Sequence, residues 1–275
     1  MAFQGERGAY SEEAAVALLG EDVRTVPCAT FESLFDAVGD GRADYALAPV
    51  ENTLAGDVGR ALDLLQEHSL FIVGEVSIPV SHNLVGCRGA RLDGVRVVES
   101  HPVALAQCER FFAERPHIRR IVSDDTAASV RRITESGDVE RAAIAGSRAA
   151  RLYGGVILAG HLEDDPANYT RFLLLAAAAC ESTGRADKLS LAVLLPHVPG
   201  ALRRALAPFD ARGIELLRVA TRPVKGRPWH YRFFLDFKAS TADGDVLLAL
   251  SELGACAAEV RLLGCYPSAS TIINQ

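Results

Sequence analysis

The sequence predicts an α/β protein in which two successive blocks of strands and helices precede a separate βαββαβ unit. Three observations carry this. From residue 1 to about 179, short apolar strands alternate with amphipathic helical stretches, the pattern of a sheet covered on both faces. The alternation restarts near Val80, giving two blocks and room for two lobes. After a polar stretch at 181–187 (ESTGRAD) that carries Gly184, the period changes and cleanly alternating strands follow. With 275 residues, 49% of them hydrophobic, the chain can bury a substantial core.

The elements follow in order. Thr30 is a good N-cap for a helix whose Phe31, Leu34, Phe35 and Val38 fall at i, i+3, i+4 and i+7. Residues 45–50 and 70–78 read as strands, and Val58, Ala61, Leu62 and Leu65 form a helical stripe between them. The second block places strands at 95–99, 119–123 and 141–145, each followed by a helix-like segment. Ser100 ahead of Pro102, and Asp125 with Thr126, are helix-opening arrangements. In the last unit Leu189, Leu191, Val193 and Leu195 alternate as a strand, Leu202, Leu206 and Phe209 make a helical face, and 214–219 is a second strand. Trp229, Tyr231, Phe233, Leu235 and Phe237 then alternate with His230, Arg232, Phe234, Asp236 and Lys238, a half-buried strand. A helix at 243–256 and a strand at 259–263 complete a ferredoxin-like order, and 268–275 reads as a tail.

Composition excludes several functions. The net charge is −6 and basic residues form no run, which argues against nucleic acid or an anionic membrane as partner. The longest apolar stretch, 172–180, is too short to span a bilayer, and the N-terminus lacks the basic and apolar regions of a secretory signal, so a soluble cytoplasmic protein is expected. Six cysteines (Cys28, Cys87, Cys108, Cys180, Cys256, Cys265) contain no C-x-x-C pair and read as reduced and structural. Gly5, Glu6, Arg7 and Gly8 lack the spacing of a dinucleotide fingerprint and no Walker lysine follows, so no nucleotide cofactor is expected. His161, Glu163, Asp164 and Asp165 ahead of Pro166 read as a solvated loop and not as a metal site.

Thr170 and Arg171, between Asn168 and Phe172, set a neutral hydroxyl donor beside a permanent cation at the threshold of the run Leu173, Leu174, Leu175. The pairing suits holding an anion while a hydroxyl group leaves: guanidinium matches a carboxylate, and a hydroxyl can aim a hydrogen bond at oxygen gaining charge. Residues 168–172 (NYTRF) resemble the Asn-x-Thr-Arg-Phe signature of prephenate dehydratases. Residues 3–15 (FQGERGAYSEEAA), 48–58 (APVENTLAGDV), 100–108 (SHPVALAQC) and 263–267 (LGCYP) resemble further pieces of that family, in its order.

The resemblance implies a catalytic domain over 1–182 like type II periplasmic binding proteins, with one lobe from 1–78 and 168–182 and the other from 79–167. It implies a linker at 183–187 and, over 188–275, an ACT regulatory domain. By the family's motif Thr170 sits at the departing hydroxyl of prephenate, with Arg171 and Phe172 completing the catalytic signature and Asn52, Thr53, Ser100, Thr126 and Asn168 as substrate contacts. Arg171 either orients a substrate carboxylate or, since neighbours on a strand face opposite ways, braces the hinge through Asp164 or Asp165. No metal or organic cofactor is implied.

Gly200, Ala201, Leu202, Thr221, Arg222 and Pro223 match the family's effector segments, implying an aromatic amino acid, phenylalanine first, as regulator and a homodimer or homotetramer. The match departs at Glu215, Leu217 and Ala220, where the family has Asn, Thr and Glu. The rival functions are arogenate dehydratase, whose substrate carries an amino group in place of the ketone, and a non-catalytic amino-acid sensor. A related decarboxylase, which would keep the ring hydroxyl, has less need of a donor at Thr170.

Overall fold

The computed structural model describes residues 1–179 and 186–269. Most of the expected linker (183–185) and the end of the tail (270–275) lie outside the described residues.

The first lobe comprises β1 (Ala2–Gln4), α1 (Tyr10–Leu19), β2 (Val26–Cys28), α2 (Phe31–Gly39), β3 (Tyr45–Asn52), β4 (Gly56–Asp57), α3 (Gly59–Glu67) and β5 (Phe71–Pro79). The chain then builds β6 (Asn83–Gly86), β7 (Val97–Ser100), α4 (Pro102–Ala106), α5 (Glu109–Ala113), β8 (Arg119–Val122), α6 (Thr126–Ser136), β9 (Arg141–Ala145), α7 (Ser147–Tyr153) and β10 (Val156–Ala159), and returns as β11 (Tyr169–Ala176). The first sheet runs β2-β1-β3-β11-β5 with β4 on the edge of β3, and the second runs β10-β6-β9-β7-β8. The outgoing and returning crossings are adjacent: Tyr169 pairs with Pro79, and the Val80 N–H donates to the Asn168 carbonyl at 2.8 Å. Two chain passages at one hinge fix the returning strand at the mouth of the cleft between the lobes.

Local chemistry accounts for the helix starts. Thr30 and Ser33 form a reciprocal capping box on α2, and the Asp125 carboxylate accepts from Ala128 N–H at 2.8 Å on α6. Within the first sheet β11 pairs antiparallel with β3, Thr170 opposite Asn52 and Arg171 opposite Glu51, and the register slips between Arg171 and Phe172.

The last unit comprises β12 (Lys188–Leu194), α8 (Ala201–Asp210), β13 (Leu216–Pro223), β14 (Tyr231–Lys238), α9 (Gly244–Cys256) and β15 (Glu259–Tyr266), in sheet order β13-β14-β12-β15. One face of this sheet packs on α8 and α9, with Phe209 stacked on Phe237 at 4.0 Å. The other face differs from the half-buried strand expected from alternation. Phe234 and Asp236 are 2% and 5% exposed because that face docks on the first lobe. Ala192, Ala220, Phe234, Leu263 and Tyr266 share one core with Leu62, Leu65, Ile72, Leu173 and Leu175. Gly264 lies so close to β5 that a side chain there would collide with the Ile72 carbonyl. The Arg261 guanidinium donates to the carbonyls of Leu65 and Gln66, at the end of α3, and to those of His68 and Leu70 just beyond. Among the described residues, no helix is long and apolar enough to cross a membrane.

Candidate active site

A cavity of about 440 Å³ lies between the two lobes, and Thr170, Asn52 and Thr126 are in its wall. Five helices begin there: α1 at Ala9, Tyr10 and Ser11, α2 at Phe31, α3 at Val58, α4 at His101 and α6 at Asp125 and Thr126. Their dipoles supply positive potential, and α1 and α3, which have no side-chain cap, leave N–H groups for a ligand. The wall needs it, because the charged residues lining it are Asp57, Asp124 and Asp125, with neither lysine nor arginine among the described lining residues. Positive potential in this cleft therefore comes from backbone.

The donor set at Thr170 can be oriented from two backbone amides. Leu54 and Ala55 N–H groups approach one Asn52 side-chain atom at 3.0 and 2.8 Å, so that atom is the carbonyl oxygen. The Asn52 NH2 therefore faces Thr170 Oγ1 at 3.0 Å and donates to it. It also reaches Asn168 Oδ1 at 2.8 Å, which turns the Asn168 NH2 toward Gln107 Oε1 at 2.9 Å. Gln107 Oε1 also faces His82 Nε2 at 2.9 Å, so the neutral ring carries its proton there, while Nδ1 faces the Tyr10 hydroxyl at 3.0 Å, whose one proton it shares with the Ser81 carbonyl at 2.7 Å. Gln107 Nε2 closes the set on Asn52 Oδ1 at 3.4 Å. Because Thr170 accepts from Asn52, its own proton is available as a donor, and aligned donors polarise one another. The result is a hydroxyl held as a hydrogen-bond donor at the cavity wall.

Burial holds the His82 pKa below the ordinary 6.5, opposed by the Gln107 hydrogen bond and Glu163. The folded chain therefore favours the neutral ring, and the unfolded chain takes up the proton first as pH falls. Its contribution to stability is complete above 6.5 and is lost as the pH drops below it. Urea unfolding between about pH 7 and 5 should show this loss, at most about 1.4 kcal/mol per pH unit, and His82→Gln should remove that component. An identical pH slope in the variant would refute the neutral assignment.

The remaining sequence-derived site residues divide sharply. Thr53 is exposed, and its hydroxyl donates to the Ala167 carbonyl at 2.7 Å and accepts from Tyr169 N–H at 2.9 Å, tying the β3 turn to β11 from outside the cavity. Ser100 is a correction: it is fully buried and donates to the Ile144 carbonyl at 2.6 Å across the second sheet, while His101 caps α4. Asn168 is buried behind Asn52 and is no cavity-lining residue. Phe172, 1% exposed, belongs to the core beneath the sheet with Leu47, Val76 and Ile78.

Arg171 also departs from the carboxylate clamp. Strand alternation sends it to the face opposite Thr170, where it meets Glu75 at 2.7 Å, Asp236 at 2.8 Å and Glu51 at 3.7 Å. Asp164 and Asp165 are not its partners; Asp164 instead accepts from Glu109 and Arg110 N–H. Burial opposes the Arg171 charge, but Asp236, Tyr266 and Glu75 outweigh it and hold the guanidinium above its ordinary value.

In the last unit, Gly200, Ala201 and Leu202 line a cavity of about 490 Å³ with His197, Trp229, Tyr231 and Phe233. Thr221, Arg222 and Pro223 do not line it, and Arg222 pairs with Asp63 of α3 at 2.7 Å. Ala220 is buried against the first lobe, where a carboxylate would be stranded among apolar groups. Gln107, His82 and Tyr10 join the site without a signal in the sequence: Gln107 and Tyr10 lie inside segments carrying the resemblance, but nothing local marks Gln107 as pointing at Asn52 or Tyr10 as pointing at His82.

A family model described as prephenate dehydratase matches residues 1–180. Arogenate dehydratase/prephenate dehydratase 1, chloroplastic, of Arabidopsis thaliana is 40% identical over 282 residues, covering 97% of this chain and 71% of that protein. A solved prephenate dehydratase from Arthrobacter aurescens, in complex with L-Phe, is 33% identical with a TM-score of 0.87, over 97% of this chain and 89% of that one. GqqA, described as a novel type of quorum quenching acylase, is 35% identical with a TM-score of 0.88, over 98% of this chain and 97% of that one.

Proposed function

The chain belongs to the prephenate dehydratase family, and we propose on that premise that the cleft expels the ring hydroxyl of prephenate at Thr170. The reaction is decarboxylative dehydration to phenylpyruvate. The ring carboxylate leaves as CO2, its bonding pair enters the ring, and the C–O bond breaks to release hydroxide. Charge balances: a dianion gives a monoanion, neutral CO2 and hydroxide. Aromatisation drives the step, so the enzyme has to align both breaking bonds and stabilise the departing oxygen. The observation that carries this reading is the Asn52 to Thr170 hydrogen bond of 3.0 Å, which leaves the threonine hydroxyl free to donate toward that oxygen. Substrate carboxylates are held by helix starts, of which α1 and α3 have no side-chain cap.

Arogenate is the second reading, and one observation favours it. Asp57, Asp124 and Asp125 line the cavity, and Asp124 has no hydrogen bond or ion pair among the described residues, so an ammonium group would find a partner. Purified protein is to be incubated separately with prephenate and arogenate, with products identified and CO2 measured. Phenylpyruvate from prephenate supports the first reading, and phenylalanine formed with a higher kcat/KM from arogenate supports the second. Tight binding without turnover would make the chain a sensor. Acylase chemistry fits poorly, because a hydroxyl nucleophile wants a basic nitrogen beside it, whereas Thr170 is bonded by an amide donor.

The last unit serves as an ACT-type regulatory module for an aromatic amino acid, phenylalanine first, at the cavity edged by Gly200, Ala201 and Leu202. Exposed Leu216, Leu217 and Val219 on the edge strand β13 suit pairing with a second copy, as a homodimer or homotetramer. Free Cys28, Cys87, Cys108, Cys256 and Cys265 fit a reducing cytoplasm.

A further inference from the structure

We propose that Arg218 of β13 is a positioning residue for the cleft: it fixes the β3–β4 turn that carries Asn52 and transmits to it what happens in the last unit. Arg218 is only 11% exposed, although β13 is an edge strand, because it reaches across to the first lobe. Its Nε meets the Glu51 carboxylate at 3.0 Å and its second nitrogen meets that of Asp57. Glu51 and Asp57 are opposite each other across the turn, and the next rung pairs Asn52 with Gly56. One guanidinium therefore bridges both legs of a turn whose closing rung bears Asn52, the donor to Thr170. Asn52, Ala55, Gly56 and Asp57 all line the cavity.

The turn needs an external brace. β4 is two residues long, residues 53–57 are exposed, and Gly56 adopts φ +81°. The rung inverts its direction with each residue: Asn52 and Thr170 address the cavity, whereas Glu51 and Arg171, one step along, address the docked sheet. A shift of β13 therefore changes the Glu51 side of the ladder and moves Asn52 on the other. The effector cavity of about 490 Å³ is lined by Tyr231 and Phe233 of β14, which pair with Pro223 and Thr221 of β13, so a ligand there bears on the strand that carries Arg218.

This inference rests on the dehydratase reading, and the test separates the two. Full-length wild type, Arg218→Met, Arg218→Lys, the Glu51→Gln/Asp57→Asn double variant and the combined triple variant are assayed with prephenate, with and without phenylalanine. Arg218→Met is expected to lower kcat about tenfold, since small misplacements at a reacting centre are costly. Arg218→Lys, which can satisfy one carboxylate, should recover part of that loss. The carboxamide pair should reproduce the defect, and the triple variant should be no worse than either, as expected for groups acting as one unit. Any phenylalanine effect on the wild-type rate should shrink at least about fivefold in Arg218→Met while calorimetric phenylalanine binding persists. Lys225→Met, which removes the Lys225–Glu67 pair of 2.6 Å between the same two bodies but away from the turn, should keep the wild-type rate. Wild-type kcat in Arg218→Met, or additive losses in the triple variant, overturns the strut. A lowered kcat with an unchanged phenylalanine response overturns its transmitting role. Absence of turnover in the wild type would be a failure of the dehydratase reading and would appear before any variant is compared.

Discussion

Thr170→Ala should reduce kcat for prephenate by roughly a hundred- to a thousandfold, about 3 to 4 kcal/mol, with KM changed much less. The asymmetry follows from what the hydroxyl does. Before the C–O bond breaks, the substrate oxygen is an ordinary hydroxyl and gains little from one more donor. As it departs it becomes an anion in a partly closed cleft, where an oriented donor is worth far more than in water. Thr170→Ser keeps the donor but loses the β-branched restriction on its rotamer, so it should fall between the two. Asn52 makes the distinction sharper, since its NH2 bonds Thr170 at 3.0 Å and forces the hydroxyl proton outward. Steady-state kinetics with a thermal midpoint for each variant is the check. A Thr170→Ala enzyme with wild-type kcat would end the proposed chemistry.

Arg171→Met should cost about 3 to 5 kcal/mol of stability, lowering the thermal midpoint by roughly 10 °C. Glu75 and Asp236 are both deeply buried and lie within 2.8 Å of the guanidinium, so its removal strands carboxylates away from water. Lys188 still neutralises Glu75 at 2.9 Å, while among the described residues Asp236 keeps only Ser190 at 2.6 Å. The main loss therefore falls on Asp236. Differential scanning calorimetry of the variant decides the matter, and a midpoint within about 2 °C of wild type would mean that the buried cluster contributes nothing net.

Much of the fold was legible in the sequence because strong periodicity leaves little choice. The helix opened by Thr30, the strand 141–145 and the βαββαβ order of the last unit all carry patterns that only one element type satisfies. β2, β6 and β10 were not, being three or four residues long and without a full alternation to read. The burial of Phe234 and Asp236 was also hidden, since alternation tells which residues share a face and not whether another body covers it. At the site, Thr170, Asn52 and Thr126 could be named from motifs, yet Ser100 and Phe172 carry the same local marks and point into packing. Arg171 shows the reason most directly: it adjoins Thr170 in sequence but lies half a pleat away in space. Gln107 and His82 could not be found this way because their role depends on side-chain contacts across 55 and 25 residues of chain respectively, to Asn52 and to Gln107.

The docking of the last sheet on α3 and β5 has a consequence for how such a protein can be cut or recombined. Leu62, Leu65, Ile72, Leu173 and Leu175 share their shelter with residues from beyond position 188, so the catalytic portion alone would present an oily flank to solvent. The two portions are not beads on a string. A lineage that discarded or exchanged the terminal portion would first have to repaint that flank with polar side chains, or else clump.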